Sequence, residues 1–188
     1  LIMGELYPEW RSLSIHESSP SNNLIAKACK GYSYSQYFPD QPHGKTFRGV
    51  RCEDIEHLTF PDGTFDIFIT QDVLEHVFDP AQALRDIHRV LKPGGAHIFT
   101  APKHAVLATS VRRAELDAQG QVNHLLEAQY HGNPVGDGKA LVTWDYGSDF
   151  EVLASDWVGG ISVNTFHTRN RDMGIDAAFN EVFVIRKR

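Results

Sequence analysis

TFDIFITQDVLEHVFDPAQALRDIHRVLKPGGAHIFTAP, residues 64–102, decides the fold. It reads as strand, loop, helix, turn and strand. Residues 66–70 form a short β-branched and aromatic run, as in a buried strand. Asp79 and Pro80 stand where an N-cap and a first helical residue belong. Beyond them Ala83, Leu84, Ile87, Val90 and Leu91 recur at three- and four-residue spacing, so one helical face meets a core. Lys92, Pro93, Gly94 and Gly95 stop the helix, because proline cannot continue it and glycine turns the chain at low steric cost. Residues 96–101 make the next strand, closed by Pro102. Two strands joined through a helix imply a parallel sheet.

The same stretch carries a family resemblance. Phe65–Asp66 at a strand start, the loop DVLEHV at 72–77 and the turn VLKPGG at 90–95 occur in this order and spacing. Together they resemble the second half of a class I S-adenosylmethionine-dependent methyltransferase of the small-molecule kind, methyltransferase type 11-like. The resemblance implies a Rossmann-like α/β fold: a seven-stranded, mostly parallel sheet with helices on both faces and the last strand antiparallel. It extends less clearly over residues 11–150.

Length and composition set bounds. The chain has 188 residues, enough for one domain with a sizeable core. Its net charge of −6, with no basic run, argues against nucleic acid as a partner. No apolar stretch approaches the roughly 20 residues that a membrane crossing needs. Cys29 and Cys52 are the two cysteines, too few for a disulfide framework, which fits a reducing, cytoplasmic compartment. The chain opens with Leu1, Ile2 and Met3 rather than a signal-like segment, and N-terminal elements can precede it. Oligomeric state is not readable.

Upstream of the deciding stretch, residues 11–16 alternate polar and apolar and are expected to be the first strand. Residues 22–30 carry helical spacing in Leu24, Ile25 and Ala28. In the resembling family a glycine-rich loop lies between two such elements, under the amino-acid end of the cofactor, S-adenosyl-L-methionine. Here Ser18, Ser19 and Pro20 replace the glycines, with His16 and Glu17 at the strand end. Glu17 is positioned for an ammonium group; as an alternative, it and the serines only cap a helix. Residues 32–37 read as the second strand, where the family places a carboxylate against the ribose. Ser35 and Gln36 stand there, and Gln36 can hydrogen-bond but is uncharged. Residues 46–51 suggest a third strand. Asp54 then matches the family's adenine-binding aspartate, with Ile55 against the ring; the alternative is a solvated acidic turn.

Gln71, Asp72 and Val73 follow a strand's carboxyl end, where ligands of open α/β sheets bind. Glu75 and His76 face that crevice in the family. His76 is a candidate general base, since imidazole titrates near neutrality, or else a structural histidine. Residues 103–146 exceed a plain loop and are expected to insert as a mobile lid within one domain spanning 1–188, with a Gly/Pro-rich tip at 132–138. Within it, 111–118 suggests a helix ended by Gly120. His131 and Tyr130 are candidate substrate-facing groups, and His131 joins His76 as a tentative catalytic residue. His124 and Glu127 sit at helical spacing, but no third ligand appears at a telling distance, so no metal is expected. Residues 161–166 and 181–188 read as a terminal pair of strands.

The resemblance implies methyl transfer from S-adenosylmethionine to oxygen or nitrogen of a small molecule or sugar. The family's nucleic-acid amino-methylating members carry an Asn/Asp–Pro–Pro–aromatic signature where this chain has Gln71, Asp72, Val73 and Leu74. The alternative, supported by the missing glycines and ribose carboxylate, is a catalytically inactive methyltransferase-like binding module. A nicotinamide-dependent oxidoreductase lacks its G-x-G-x-x-G here.

Overall fold

The computed structural model describes residues 2–188 except Ser21, Asn23, 133–137 and Thr168. Eight strands form the main sheet: β1 (Ile15–Ser18), β2 (Tyr32–Gln36), β3 (Thr46–Phe47), β4 (Val50–Cys52), β5 (Phe65–Gln71), β6 (Leu91–Thr100), β7 (Val163–His167) and β8 (Glu181–Arg186). Their order across the sheet is β7-β8-β6-β5-β1-β2-β4-β3. β4, β2, β1, β5 and β6 run parallel, and β8 pairs antiparallel with both β6 and β7. The strand order reverses between β1 and β5, so the carboxyl ends of these two strands flank a crevice.

The expected seven-stranded sheet gains one strand. The single strand expected at 46–51 is a hairpin, because Arg48 and Gly49 both adopt positive φ (50° and 80°) and fold β3 back on β4. The first strand also lies later than the alternation suggested. Trp10–Ser12 is a turn of 3-10 helix, and pairing begins at Ile15 opposite Ile67. Asp66 fixes that start by accepting the Ser14 backbone N–H at 2.8 Å.

Among the described residues four α-helices accompany the sheet: α1 (Ile2–Leu6), α2 (Leu24–Ala28), α3 (Pro80–Val90) and α4 (Phe150–Trp157). On one face α3 and α4 bury Leu84, Ile87, Val90, Phe150 and Ala154 against Phe68, Phe99, Phe183 and Ile185. On the other, Tyr7 and Cys29 pack with Ile15, Ile67, Ile98 and Val184. Asp79 caps α3 by accepting the Gln82 N–H at 2.9 Å, and Pro80 opens the helix. The crossover after it is tight: a Cβ on Gly95 would meet the Asp66 carbonyl oxygen at 2.9 Å.

Residues 103–146 are built from small antiparallel ladders rather than helix. Val111–Arg112 pairs with Trp144–Asp145, Ala114–Leu116 with Val122–His124, and Tyr130–Gly132 with Lys139–Leu141. The helix expected at 111–118 is therefore a hairpin arm. Asp117 forces the turn, its Oδ1 accepting the N–H groups of Gln119 and Gln121 at 2.9 and 2.8 Å. Arg113, at the break between the two short strands, bonds both Asp145 and the Glu127 carbonyl. His124 and Glu127 thus share no helix face. The tip expected at 132–138 lies outside the described residues from 133 to 137.

Candidate functional site

β5 delivers the chain to the crevice. It is buried from Ile67 through Thr70, and the chain leaves the sheet after the exposed Gln71. Asp72 adopts φ 51°, a left-handed conformation that costs a non-glycine residue about 1–2 kcal/mol. Two bonds hold it there: Thr100 Oγ donates to Asp72 Oδ1 at 2.9 Å, and the Asp72 N–H reaches the same hydroxyl at 3.1 Å. Residues Leu74–His76 form a single 3-10 turn that buries Leu74 and Glu75.

The returning strand of the 103–146 segment locks this turn. Tyr146 Oη donates to the Leu74 carbonyl at 2.7 Å, and the Thr143 N–H donates to the Glu75 carbonyl at 2.8 Å. His76 Nδ1 lies 2.8 Å from the Leu141 carbonyl. A carbonyl only accepts, so Nδ1 carries the proton and Nε2 keeps its lone pair. Tyr130–Gly132 then brings His131 over His76, ring centroids 5.1 Å apart and nearly perpendicular.

Glu75 sits between the two imidazoles. Its side chain is wholly buried, and among the described residues neither carboxylate oxygen has a hydrogen-bond partner. Oε1 is 3.7 Å from His76 Nε2 and 3.8 Å from His131 Nδ1. Burial, opposed in part by its own backbone N–H and reinforced by the Asp72 charge, pushes its carboxyl up to about 8. Burial lowers His76, with the Leu141 carbonyl acting against that and His131 adding to it. His76 and His131 are separate candidates in the sequence; the structure brings their rings together. Glu75 was seen only as a neighbour of His76. Its burial without a partner, which no sequence pattern announces, makes it the centre of the cluster.

The candidate cofactor residues divide. Glu17 is buried at the end of β1 and already holds two donors, Tyr32 Oη at 2.7 Å and Gln71 Nε2 at 2.5 Å. His16 is fully buried, its ring nitrogens 2.9 and 3.0 Å from the hydroxyls of Ser33 and Ser35, among Phe60, Phe65 and Phe68. Burial, with Arg51 beyond, drives its pKa down to about 3, so it is a neutral core residue. Ser18 is buried, Ser35 is engaged by His16, and Ile55 belongs to the core beneath the sheet edge. Asp54 is partly exposed, with Oδ1 accepting the Glu56 N–H at 2.9 Å. Val73 is half-buried against the core.

The turn after β1 is where a glycine is missing, and its backbone still takes the glycine form. Ser19 has φ 54°, its N–H bonds the Ser35 carbonyl at 2.9 Å, and its hydroxyl accepts Gln36 Nε2 at 3.3 Å. The left-handed turn is therefore kept without glycine. Gln36 retains its Oε1 as an acceptor at the end of β2. An uncharged amide, a partly exposed carboxylate in Asp54 and a preserved turn suit the adenosyl portion of S-adenosylmethionine. The amino-acid portion would meet a Glu17 that is shared with Tyr32 and Gln71.

Comparison with known proteins gives consistent results. Residues 18–99 match the model of the methyltransferase domain family. An uncharacterized methyltransferase of Schizosaccharomyces pombe is 36% identical over 126 residues, 66% of this chain and 44% of that protein. An S-adenosylmethionine-dependent methyltransferase from Mesorhizobium loti superposes with a TM-score of 0.62 at 16% identity, covering 99% of this chain and 96% of the other. The 1,6-didemethyltoxoflavin-N1-methyltransferase of Burkholderia thailandensis, solved with its substrate and S-adenosylhomocysteine, gives 0.55 at 14%, covering 99% and 75%. The chain spans only 37% and 44% of two curated relatives it matches over most of its own length. No helix among the described residues is long and apolar enough to cross a membrane.

Proposed function

From the premise that this chain belongs to the class I S-adenosylmethionine-dependent methyltransferase family, its family match covering residues 18–99, we propose that it methylates a hydroxyl-bearing small molecule or sugar in a reducing, cytoplasmic setting. The observation that carries this reading is the Glu75–His76–His131 cluster beside the carboxyl end of β5. S-adenosylmethionine supplies an electrophilic sulfonium methyl. Asp54 and Gln36 would hold its adenosyl portion, with Ser19, Gln71 and Asp72 lining the turn ends between β1 and β5. What remains for the protein is to align an oxygen with that methyl and to take its proton.

His76 is prepared for the second task. Its Nδ1–H is committed to the Leu141 carbonyl, so the lone pair on Nε2 has a fixed direction and can receive a proton. His131, half exposed on the outer ladder, is placed to touch the acceptor. The 103–146 segment would act as the cover. Its base is pinned by Thr143 and Tyr146, so closure would belong to the outer part at 114–130, where Leu116, Val122, Leu125, Leu126 and Tyr130 are exposed. Hydrogen exchange should slow in that outer part when cofactor and acceptor bind, while 141–146 stays protected throughout.

A second reading, a binding module without turnover, draws on the engagement of Glu17 by Tyr32 and Gln71. The deciding experiment incubates the protein with methyl-labelled S-adenosylmethionine and a panel of phenols, sugars and amines. Label transferred to hydroxylated acceptors, and lost in His76→Ala, supports the enzyme. Cofactor binding with no transfer to any acceptor supports the module.

A further inference from the structure

Glu75, His76 and His131 each offer one ligand atom, and these atoms lie within 4.8 Å of one another. We propose that the three residues bind a divalent first-row metal ion of the zinc type, which holds the acceptor's oxygen beside the methyl donor. The proposal deepens the functional reading above and rests on it for the role of the ion, though not for its binding.

The argument begins with lone pairs. His76 Nδ1 donates to the Leu141 carbonyl, which leaves Nε2 an acceptor. Opposite it, at 3.7 Å, is Glu75 Oε1, an acceptor when ionised. His131 Nδ1 faces the same oxygen at 3.8 Å. Among the described residues neither Glu75 oxygen has a hydrogen-bond partner, and the side chain is wholly buried. Three groups that can each turn a lone pair toward one point form a place where a cation can be shared. A single proton bridges two of the three groups; a metal ion satisfies all of them.

The surroundings resemble those of a ligand set. A ligating histidine commonly gives its other N–H to a carbonyl or carboxylate, which fixes its tautomer and orientation, as Leu141 does for His76. The ring is further fixed because Thr143 and Tyr146 bind the carbonyls of Glu75 and Leu74. Two imidazoles and one carboxylate suit zinc, cobalt or nickel better than magnesium or calcium, which take oxygen ligands. Zinc–ligand bonds of about 2.0–2.2 Å would bring the three atoms nearer to one another than they now stand. His131, on a partly exposed ladder, has room to make most of that movement.

Three protein ligands leave the remaining position open, the pattern of catalytic rather than structural zinc. An acceptor hydroxyl bound there would lose its proton to solvent water more readily. Its oxygen pair then forms the new O–C bond, while the C–S bond breaks and its electron pair stays on sulfur, leaving the neutral thioether. With the ion present, the imidazoles are ligands, and the ion takes over from His76 as the agent that activates the hydroxyl.

The test uses the untagged chain, metal-stripped, titrated with Co²⁺ as the spectroscopic probe and with Zn²⁺ in competition, with no S-adenosylmethionine present. The expected result is one ion per chain, with a visible absorption band of four- or five-coordinate cobalt that Zn²⁺ removes. Glu75→Gln and His131→Ala should each weaken binding at least tenfold. His124→Ala, an exposed histidine on the neighbouring ladder, should leave it unchanged. If His131→Ala misfolds by circular dichroism, the near-isosteric Glu75→Gln decides alone. No saturable site, or a site indifferent to Glu75→Gln, would overturn the proposal. Metal binding without any methyl transfer would instead count against the enzymatic reading and leave the site standing.

Discussion

Two buried glutamates at neighbouring strand ends have opposite surroundings. Glu17, at the end of β1, holds two donors and completes a network with Tyr32 and Gln71. Glu75, a turn beyond β5, is equally buried and holds none. A satisfied buried carboxylate stabilises the fold around it. An unsatisfied one costs stability and persists where something other than stability retains it. The first glutamate thus reads as architecture that borders the crevice, and the second as the reactive position within it.

The same substitution should act with opposite signs at the two sites. Glu75→Gln removes a carboxyl that the fold keeps protonated up to about pH 8, at a stability cost that grows as pH rises above the ordinary carboxylate range. It should lower methyl transfer by at least about a hundredfold while raising stability by about 1–3 kcal/mol in metal-free protein. Activity assays and urea denaturation on one preparation check both halves. An inactive but destabilised variant would place Glu75 among the structural groups.

The next effect concerns two histidines buried in the sheet, His16 on β1 and His97 on β6. His16 and His97 are buried neutral, with pKa values lowered to about 3 by burial. Their folded values lie below the usual 6.5. The unfolded chain therefore binds more protons between these limits, and stability falls as pH drops below about 6.5. At pH 4.5 each should cost about 2–3 kcal/mol. Denaturation at pH 7.5 and 4.5 measures the sum. His97→Phe should reduce the difference, and an unchanged difference would mean that the buried imidazole takes up its proton inside the fold.

The smallest expected effect is Glu17→Gln. The amide still accepts from one donor but turns an N–H toward the other, so stability should drop by about 1–2 kcal/mol. A rise in thermal midpoint would make Glu17 a strained group like Glu75 and return it to the list of cofactor anchors.

The sequence made the parallel core legible because periodicity reports burial. The apolar face of α3 through Val90 and its Asp79 cap are local signals that stand as the spacing required, whereas the turn expected at 92–95 is the irregular start of β6, whose register against β5 shifts between Phe65 and Ile67. It was less informative where register decides. Nothing in residues 11–16 shows that pairing waits until Ile15, because that depends on Asp66, some fifty residues away. Charges at helical spacing in 111–118 misled for a related reason. Arg113 answers to Asp145 and Glu127 across a ladder, not to neighbours along a helix. His76 and His131 could each be named from residue type. Their meeting, and the isolation of Glu75 between them, depend on Thr143 and Tyr146 folding the returning strand over the turn.

The central claim, that the cleft at the ends of β1, β2 and β5 receives S-adenosylmethionine, is tested most directly by calorimetry with S-adenosylhomocysteine on the wild type and Asp54→Ala. The account expects one molecule bound per chain, weakened roughly ten- to a hundredfold in the variant, as loss of a buried hydrogen bond of about 1–3 kcal/mol requires. No binding to the wild type, or equal affinity in an intact Asp54→Ala protein, would contradict it.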